Sequence, residues 1–352
     1  KLSFSKLCKY KKMNILIDIG HPAQANFFKN IIKILTKKGY TIIITSINRG
    51  KLPEILEKEF PNYQIKIIGK HKSSKCSIFF EANLFRFFQQ LNYVIGKKID
   101  LAISCGGFIT GAVFKYILWK PNIQFDDDPE RVKNVFLEKL TSTELFFPPI
   151  IKADGKVKIM NALKEWAYLS PTYFAPNSDS LLQYNLNPKE YFFIREVSTS
   201  SLNYADQKSN LIASISHLLP TNFKILLSLE DKSTINLYPK DWILLQEPVD
   251  DIHSLIYYSK LLISSGDSMA REGAMLGVPS IYCGIRDMAA NKVMIDKGML
   301  FHVYINDVPE VINKIINDAL LIENQKDFRN KLKEEWIDVP EFICNIIEKY
   351  KK

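Results

Sequence analysis

The sequence has few cysteines and sets them far apart. Its five (Cys8, Cys76, Cys105, Cys283 and Cys344) form no CxxC pair and no metal-ligand spacing, which excludes a zinc ribbon and a disulfide scaffold and leaves no metal site expected. Several sit in apolar segments and read as buried free thiols, the pattern of a reducing, cytoplasmic compartment. No apolar run approaches the roughly 20 residues of a membrane span. Low-complexity stretches are absent. So is any helix-turn-helix, zinc-finger or RNP-type signature, and nucleic acid is not expected as a partner. Lys1–Lys12 is basic but lacks the apolar core of a secretory signal. It reads as a tail before a natural start at Met13.

What is present is an ordinary globular composition, 47% hydrophobic and 24% charged over 352 residues, long enough for two domains. The net charge of +9 is uneven: residues 1–100 hold 19 Lys/Arg against 6 Asp/Glu, so the rest is net acidic. A basic first domain points to an anionic surface or substrate.

Short apolar runs alternate with longer amphipathic segments, the pattern of α/β units with parallel sheets. Strands are expected at 14–19, 41–45, 64–68, 100–104, 122–125 and 144–147, then at 191–195, 223–227, 242–245, 261–264 and 280–283. The clearest helix is Gln24–Lys38, with Phe27, Phe28, Ile31, Ile32 and Leu35 on one face and lysines largely opposite. Further helices are expected at 204–218, 252–258, 268–276, 291–297 and 308–321, and two more at 327–336 and 341–350. Pro171, Pro176 and Pro188 mark 171–189 as a linker. The reading is two tandem Rossmann-like domains, 13–170 and 190–325, with a ligand cleft between them at the carboxyl ends of the strands.

The run Ser264–Pro279 carries the most information. An apolar strand enters a small-residue turn, Ser264-Ser265-Gly266, and then a helix with a carboxylate, Glu272, two turns in. Free N–H groups and the helix dipole make that turn an anion site suited to a nucleotide diphosphate.

Together with Asp18-Ile19-Gly20-His21-Pro22-Ala23, Phe27-Phe28-Lys29 and Phe125-Asp126-Asp127-Asp128, this run resembles the archaeal and bacterial domain-of-unknown-function 354 family, over nearly all of the chain from Met13. That family is similar to the GT-B group, which contains the peptidoglycan N-acetylglucosaminyltransferase and the non-hydrolysing UDP-N-acetylglucosamine 2-epimerase. The resemblance implies a GT-B fold and a nucleotide sugar, UDP-linked, held mainly by the second domain with no obligatory metal. It also implies terminal helices, 326–352, that return to the first domain.

The resemblance assigns Glu272 to the ribose hydroxyls, which a carboxylate can accept in pairs. Ser265, Gly266, Ser268 and Met269 are assigned to the diphosphate. Arg195, at a strand end, would reach the nucleotide with its two-pronged guanidinium. Arg286, Asp287 and Asn291 would border the sugar. Asp267 departs from the family, which usually has glycine there; an anion beside a diphosphate must turn away or meet a cation. His21, in a Gly-His-Pro turn, is a candidate general base, with backbone capping as its alternative. Gln24 and Asn26 stand where relatives often carry further histidines. Three adjacent carboxylates repel one another, so one of Asp126, Asp127 and Asp128 should have a raised pKa and suit a base; one of them is also expected to cap a helix before Pro129. Cys105-Gly106-Gly107 reads either as a close approach to ligand or as a plain turn.

The leading function is a cytoplasmic glycosyltransferase in cell-surface glycan assembly, with a hydroxyl or lipid-phosphate acceptor and His21 or Asp127 as base. The alternatives are a sugar-nucleotide 2-epimerase, whose His-Val-Glu-Ala-Gly signature this chain lacks, and a binding protein without catalysis. The aromatic segment Ile78–Leu91, flanked by Lys70, Lys72, Lys75, Lys97 and Lys98, is expected either to pack on the sheet or to lie on an anionic membrane.

Overall fold

The computed structural model describes residues 12–70, 80–199, 204, 206–247 and 249–351, with side chains from 83 onward in the second stretch. Residues 1–11 of the basic tail, with Cys8 among them, Cys76 and the Lys72–Phe79 part of the aromatic segment lie outside the described residues. The chain divides into two compact units, Lys1–Ala167 with Asp338–Lys352, and Tyr168–Ile337.

The first unit is built on β1 (Asn14–Ile19), β2 (Thr41–Asn48), β3 (Gln64–Lys70), β4 (Leu101–Cys105), β5 (Asn122–Phe125), β6 (Glu144–Phe147) and β7 (Val157–Ile159). All pair in parallel in the order β3-β2-β1-β4-β5-β6-β7. The chain winds outward from β1 to β3 and then restarts at β4 beside β1. That reversal leaves a crevice outside the carboxyl ends of β1 and β4, where open α/β sheets hold ligands. The helix Pro22–Lys37 buries Phe27, Phe28, Ile31, Ile32 and Leu35 as its periodicity predicts, and Gly39 ends it in the left-handed region at φ +83°.

The second unit repeats the plan with β8 (Tyr191–Glu196), β9 (Lys224–Leu229), β10 (Ile243–Leu244), β11 (Leu261–Ser264), β12 (Ser280–Tyr282) and β13 (Leu300–His302). The order is β10-β9-β8-β11-β12-β13, again parallel, with the reversal between β8 and β11. Phe192, Ile194, Ile225, Leu227, Leu261, Ile263 and Ile281 form its core against Val308, Ile312 and Ile315 of one covering helix.

Several boundaries differ from expectation for local reasons. β7 and β13 are three residues each, too short to show a period. The helix expected at 308–321 stops at Ile316 because the Asp318 carboxylate accepts from Leu320 and Leu321 N–H and starts a new one. The helix expected at 204–218 shrinks to Leu211–Ile215, entered through Asn210 at φ +57°. Residues 171–189 are part of the second unit: Asn177 N–H donates to Ser254 Oγ at 2.9 Å, and Arg329 stacks on Phe174 and donates to Leu169 O at 2.8 Å. These bonds also keep Gln325–Glu335 in the second unit. Of the terminal helices only Val339–Glu348 joins the first unit, where Lys38 pairs with Glu348 at 2.6 Å and Phe342 meets the Phe146 ring.

Candidate functional site

In the second unit the crevice is tied across its mouth. Ser265 Oγ accepts from Val197 N–H at 2.9 Å, joining the ends of β8 and β11. A Cβ on Gly266 would lie 2.5 Å from Val197 Cγ1, so only glycine lets the two chains approach this closely. The helix Asp267–Met275 then starts with no side chain capping it, the kind of helix end whose first N–H groups favour an anion. Ser268 and Met269 are half-buried at this end.

Asp267 is the first residue of that helix and is buried. Its carboxylate accepts from Arg286 Nη1 at 2.8 Å, from Tyr204 OH at 3.1 Å and from Ser268 Oγ at 3.1 Å. The departure from the family is thus answered by a cation. Asp267 and Arg286 neutralise each other at the place where a phosphate would meet both the arginine and the helix. Burial, with Asp267 adjacent, pushes the Tyr204 hydroxyl upward, so it stays a donor.

Glu272 lies two turns into the same helix. Tyr168 OH donates to Oε1 at 2.6 Å and His253 Nε2 stands 3.5 Å from Oε2. Burial alone would raise its pKa; His253, Tyr168 and Arg271 outweigh that and hold the carboxyl below its usual range. A carboxylate has about four lone-pair sites, so two partners leave acceptor capacity. Neither Tyr168 nor His253 was singled out in the sequence, although His253 is one of only five histidines.

Other expected ligands turn elsewhere. Arg195 Nη1 donates to Ser228 Oγ at 3.0 Å across to β9. Its neighbour Glu196, not anticipated, is buried and accepts from Ile212 N–H at 2.7 Å and from Tyr238 OH at 3.1 Å. Asn291 is buried, and its Oδ1 accepts from Arg271 Nη1 at 2.9 Å. Asp287 is exposed.

In the first unit the crevice gathers charges. Asp18, at the end of β1, is buried and accepts from Arg86 Nη2 at 2.8 and 2.9 Å, from Thr45 at 2.8 Å and from Thr110 at 2.7 Å. His21 caps the next helix: its Nδ1 accepts from Ala23 N–H at 3.2 Å. In the neutral ring the proton then sits on Nε2, so the imidazole as placed is a donor rather than a base. Water reaches the ring, yet crowding by protein, with Arg49 and Lys164 near it, holds its pKa down at about 4 against the pull of Asp127.

Among the three carboxylates, burial pushes Asp126 upward, with Asp127 adding to it and Arg131 opposing. No helix starts at Pro129, and none of the three caps one. Asp126 Oδ1 instead accepts from the N–H of Asp127 and Asp128 at 2.8 and 3.2 Å. Arg131 reaches Asp126 at 3.0 Å and Asp128 at 3.1 Å, while Lys164 reaches Asp127 at 2.7 Å. Gly106, at φ +61°, turns the end of β4 over this cluster, and a Cβ there would stand 3.6 Å from Arg131 and 3.7 Å from Glu138.

Glu138 was not anticipated, since it lies on a helix face where glutamate usually meets water. It is wholly buried, and neither of its oxygens receives a bond from an N–H or O–H of the described residues. Its partner is the Asp126 carboxyl, and burial together with Asp126 pushes it far above the carboxylate range. Two carboxyls bond only through a shared proton. The native state therefore keeps a proton that the unfolded chain releases near 4.5; the pair's contribution to stability is complete below that pH and is lost as the pH rises toward the raised value. Infrared spectra at pH 8 should show a protonated-carboxyl C=O band that is missing in Glu138→Gln. A wild-type spectrum without that band contradicts the shared proton.

A family model described as a protein of unknown function, DUF354, matches residues 152–352. The chain belongs to that family. A relative, an uncharacterised protein of Methanocaldococcus jannaschii, is 23% identical over 338 residues, 86% of this chain and 91% of its own. Among solved structures, the chain is similar to the S. aureus MnaA–UDP complex (TM-score 0.69, 14% identity, 96% of both chains). It is also similar to UDP-GlcNAc 2-epimerase from Neisseria meningitidis bound to UDP-GlcNAc (0.66, 15%, 96% of this chain and 100% of that one). Spinosyn forosaminyltransferase SpnP gives 0.68 at 10% identity, over 97% of this chain and 100% of that one. The DUF354 chain thus has the α/β fold of GT-B glycosyltransferases and 2-epimerases, two units each on a parallel sheet.

Proposed function

We propose that the second unit binds a nucleotide-diphosphate sugar, UDP-linked, and that the chain is a glycosyltransferase. The observation that carries this is the uncapped start of the helix Asp267–Met275 at the reversal of a parallel sheet, with Glu272 on the same helix. The N–H groups of Ser268 and Met269 meet phosphate, and Glu272 accepts from the ribose with the lone pairs that Tyr168 and His253 leave. Two of the solved relatives named above were captured with UDP or UDP-GlcNAc, which supports this ligand class. In the transfer, departure of the diphosphate is eased by the helix N–H groups and by Arg286 once it parts from Asp267. Asp127 is the proposed proton acceptor in place of His21, whose Nδ1 is committed. The acceptor is a hydroxyl or lipid phosphate of cell-surface glycan assembly.

A 2-epimerase is the second reading, favoured by one feature, the proton-sharing Asp126–Glu138 pair. The two part on chemistry. A transferase releases nucleotide diphosphate only when acceptor is added, whereas an epimerase incorporates solvent deuterium into the sugar without acceptor. Both require donor binding at the helix Asp267–Met275, and a protein that binds no nucleotide sugar refutes both.

A further inference from the structure

We propose that one outer face of the first unit docks on an anionic lipid bilayer. The helix Arg86–Val94, the π-helical turn Val113–Ile117 and the helix Val132–Thr141 lie side by side over the sheet. Gln90 donates to Thr110 at 2.9 Å, and Lys115 and Tyr116 both donate to Leu140 O at 2.6 Å, so the layer is continuous. Each element has already satisfied its inner face. Phe87, Leu91, Val94, Val113 and Phe114 pack on Leu16 and Ala102 of the sheet, and Val135 packs on Leu145. A second apolar set then faces water. Val132, Phe136 and Leu140 recur every four residues, one stripe of a helix, and are 72%, 61% and 47% exposed. Phe85 and Phe88 are 56% and 57% exposed, and Trp119 is 84% exposed.

Contiguous exposed apolar surface of this kind marks an interaction site, and its charge selects the occupant. Residues 83–99 and 107–125 contain no Asp or Glu, while Lys97, Lys98 and Lys120 flank the rings. Lys133 is exposed on the third element, where Glu138 is turned inward and buried. Apolar rings flanked by lysines, with exposed Glu130 the acid just before the Val132 stripe, match the interface of a bilayer carrying anionic headgroups. The aromatic segment foreseen in the sequence supplies only one third of this face; Trp119 and the Val132 stripe come from elements 30 to 50 residues further on. The inference stands independently of what the second unit binds.

The test is flotation of the full chain with vesicles of phosphatidylcholine alone or with a third of phosphatidylglycerol. The wild type should float with the anionic vesicles at least tenfold better than with neutral ones, and raised salt should weaken it. Phe88→Ser/Trp119→Ser/Phe136→Ser, all at exposed positions, should lose binding with an unchanged circular dichroism spectrum; Lys97→Glu/Lys120→Glu/Lys133→Glu should lose the preference for anionic lipid. Failure of the wild type to float, or a triple serine variant that floats as well as it does, overturns the proposal. So does a solution dimer that the serine variant dissociates, which would give the face to a second copy of the chain.

Discussion

Replacing Arg86 by alanine should cost the first unit about 3–5 kcal/mol, the effect of leaving one partner of a buried ion pair uncompensated. Arg86 contributes both bonds of a forked contact to Asp18, and the two side chains are only 11% and 4% exposed. Thr45 and Thr110 would still donate to the carboxylate, but hydroxyls do not supply the missing positive charge. Urea denaturation followed by circular dichroism should show the transition of this unit moving to a lower midpoint. The double variant Asp18→Asn/Arg86→Met, which removes both charges together, should lose less than Arg86→Ala alone. Equal losses would mean that packing, rather than charge compensation, accounts for the effect.

Asp267→Asn should tighten binding of UDP about tenfold, or ~1.4 kcal/mol. The carboxylate holds Arg286 at 2.8 Å and stands at the start of a helix whose own dipole favours a negative charge. It thus takes both attractions that a diphosphate would use. Asparagine keeps the shape and can still accept from Tyr204 and Ser268, so the helix is retained while Arg286 is released. Calorimetric titration with UDP and with pyrophosphate reads the change. Unchanged or weaker affinity would show that Asp267 does not compete with the ligand.

These two sites also show how far the sequence can be read. Strand positions and the two sheets were legible because β1, β5, β6 and β11 are short apolar runs set between amphipathic helices, and their bounds coincide with the expected ones. The helix start at Gly266 was legible because small residues between a strand and a helix have few other uses. What stayed hidden are pairings over long separations. Arg86 meets Asp18 from 68 residues away, Tyr168 meets Glu272 from 104, and Arg286 meets Asp267 from 19, across a helix and a β-strand. No local period reports such contacts. Asn291 is a related case: its place after a strand is legible, but not the bond its Oδ1 accepts from the buried Arg271. Glu138 was hidden because a glutamate in a helix looks solvated until the structure places Asp126 against it.

The central claim is that a nucleotide-diphosphate sugar binds at the start of the helix Asp267–Met275. Hydrogen exchange read peptide by peptide, with and without UDP-GlcNAc and a panel of other nucleotide sugars, tests it most directly. At least one donor should slow exchange across Ser264–Glu272, and Glu272→Ala should weaken that donor's protection. No protection of this segment by any donor, or protection confined to the first unit, would contradict it.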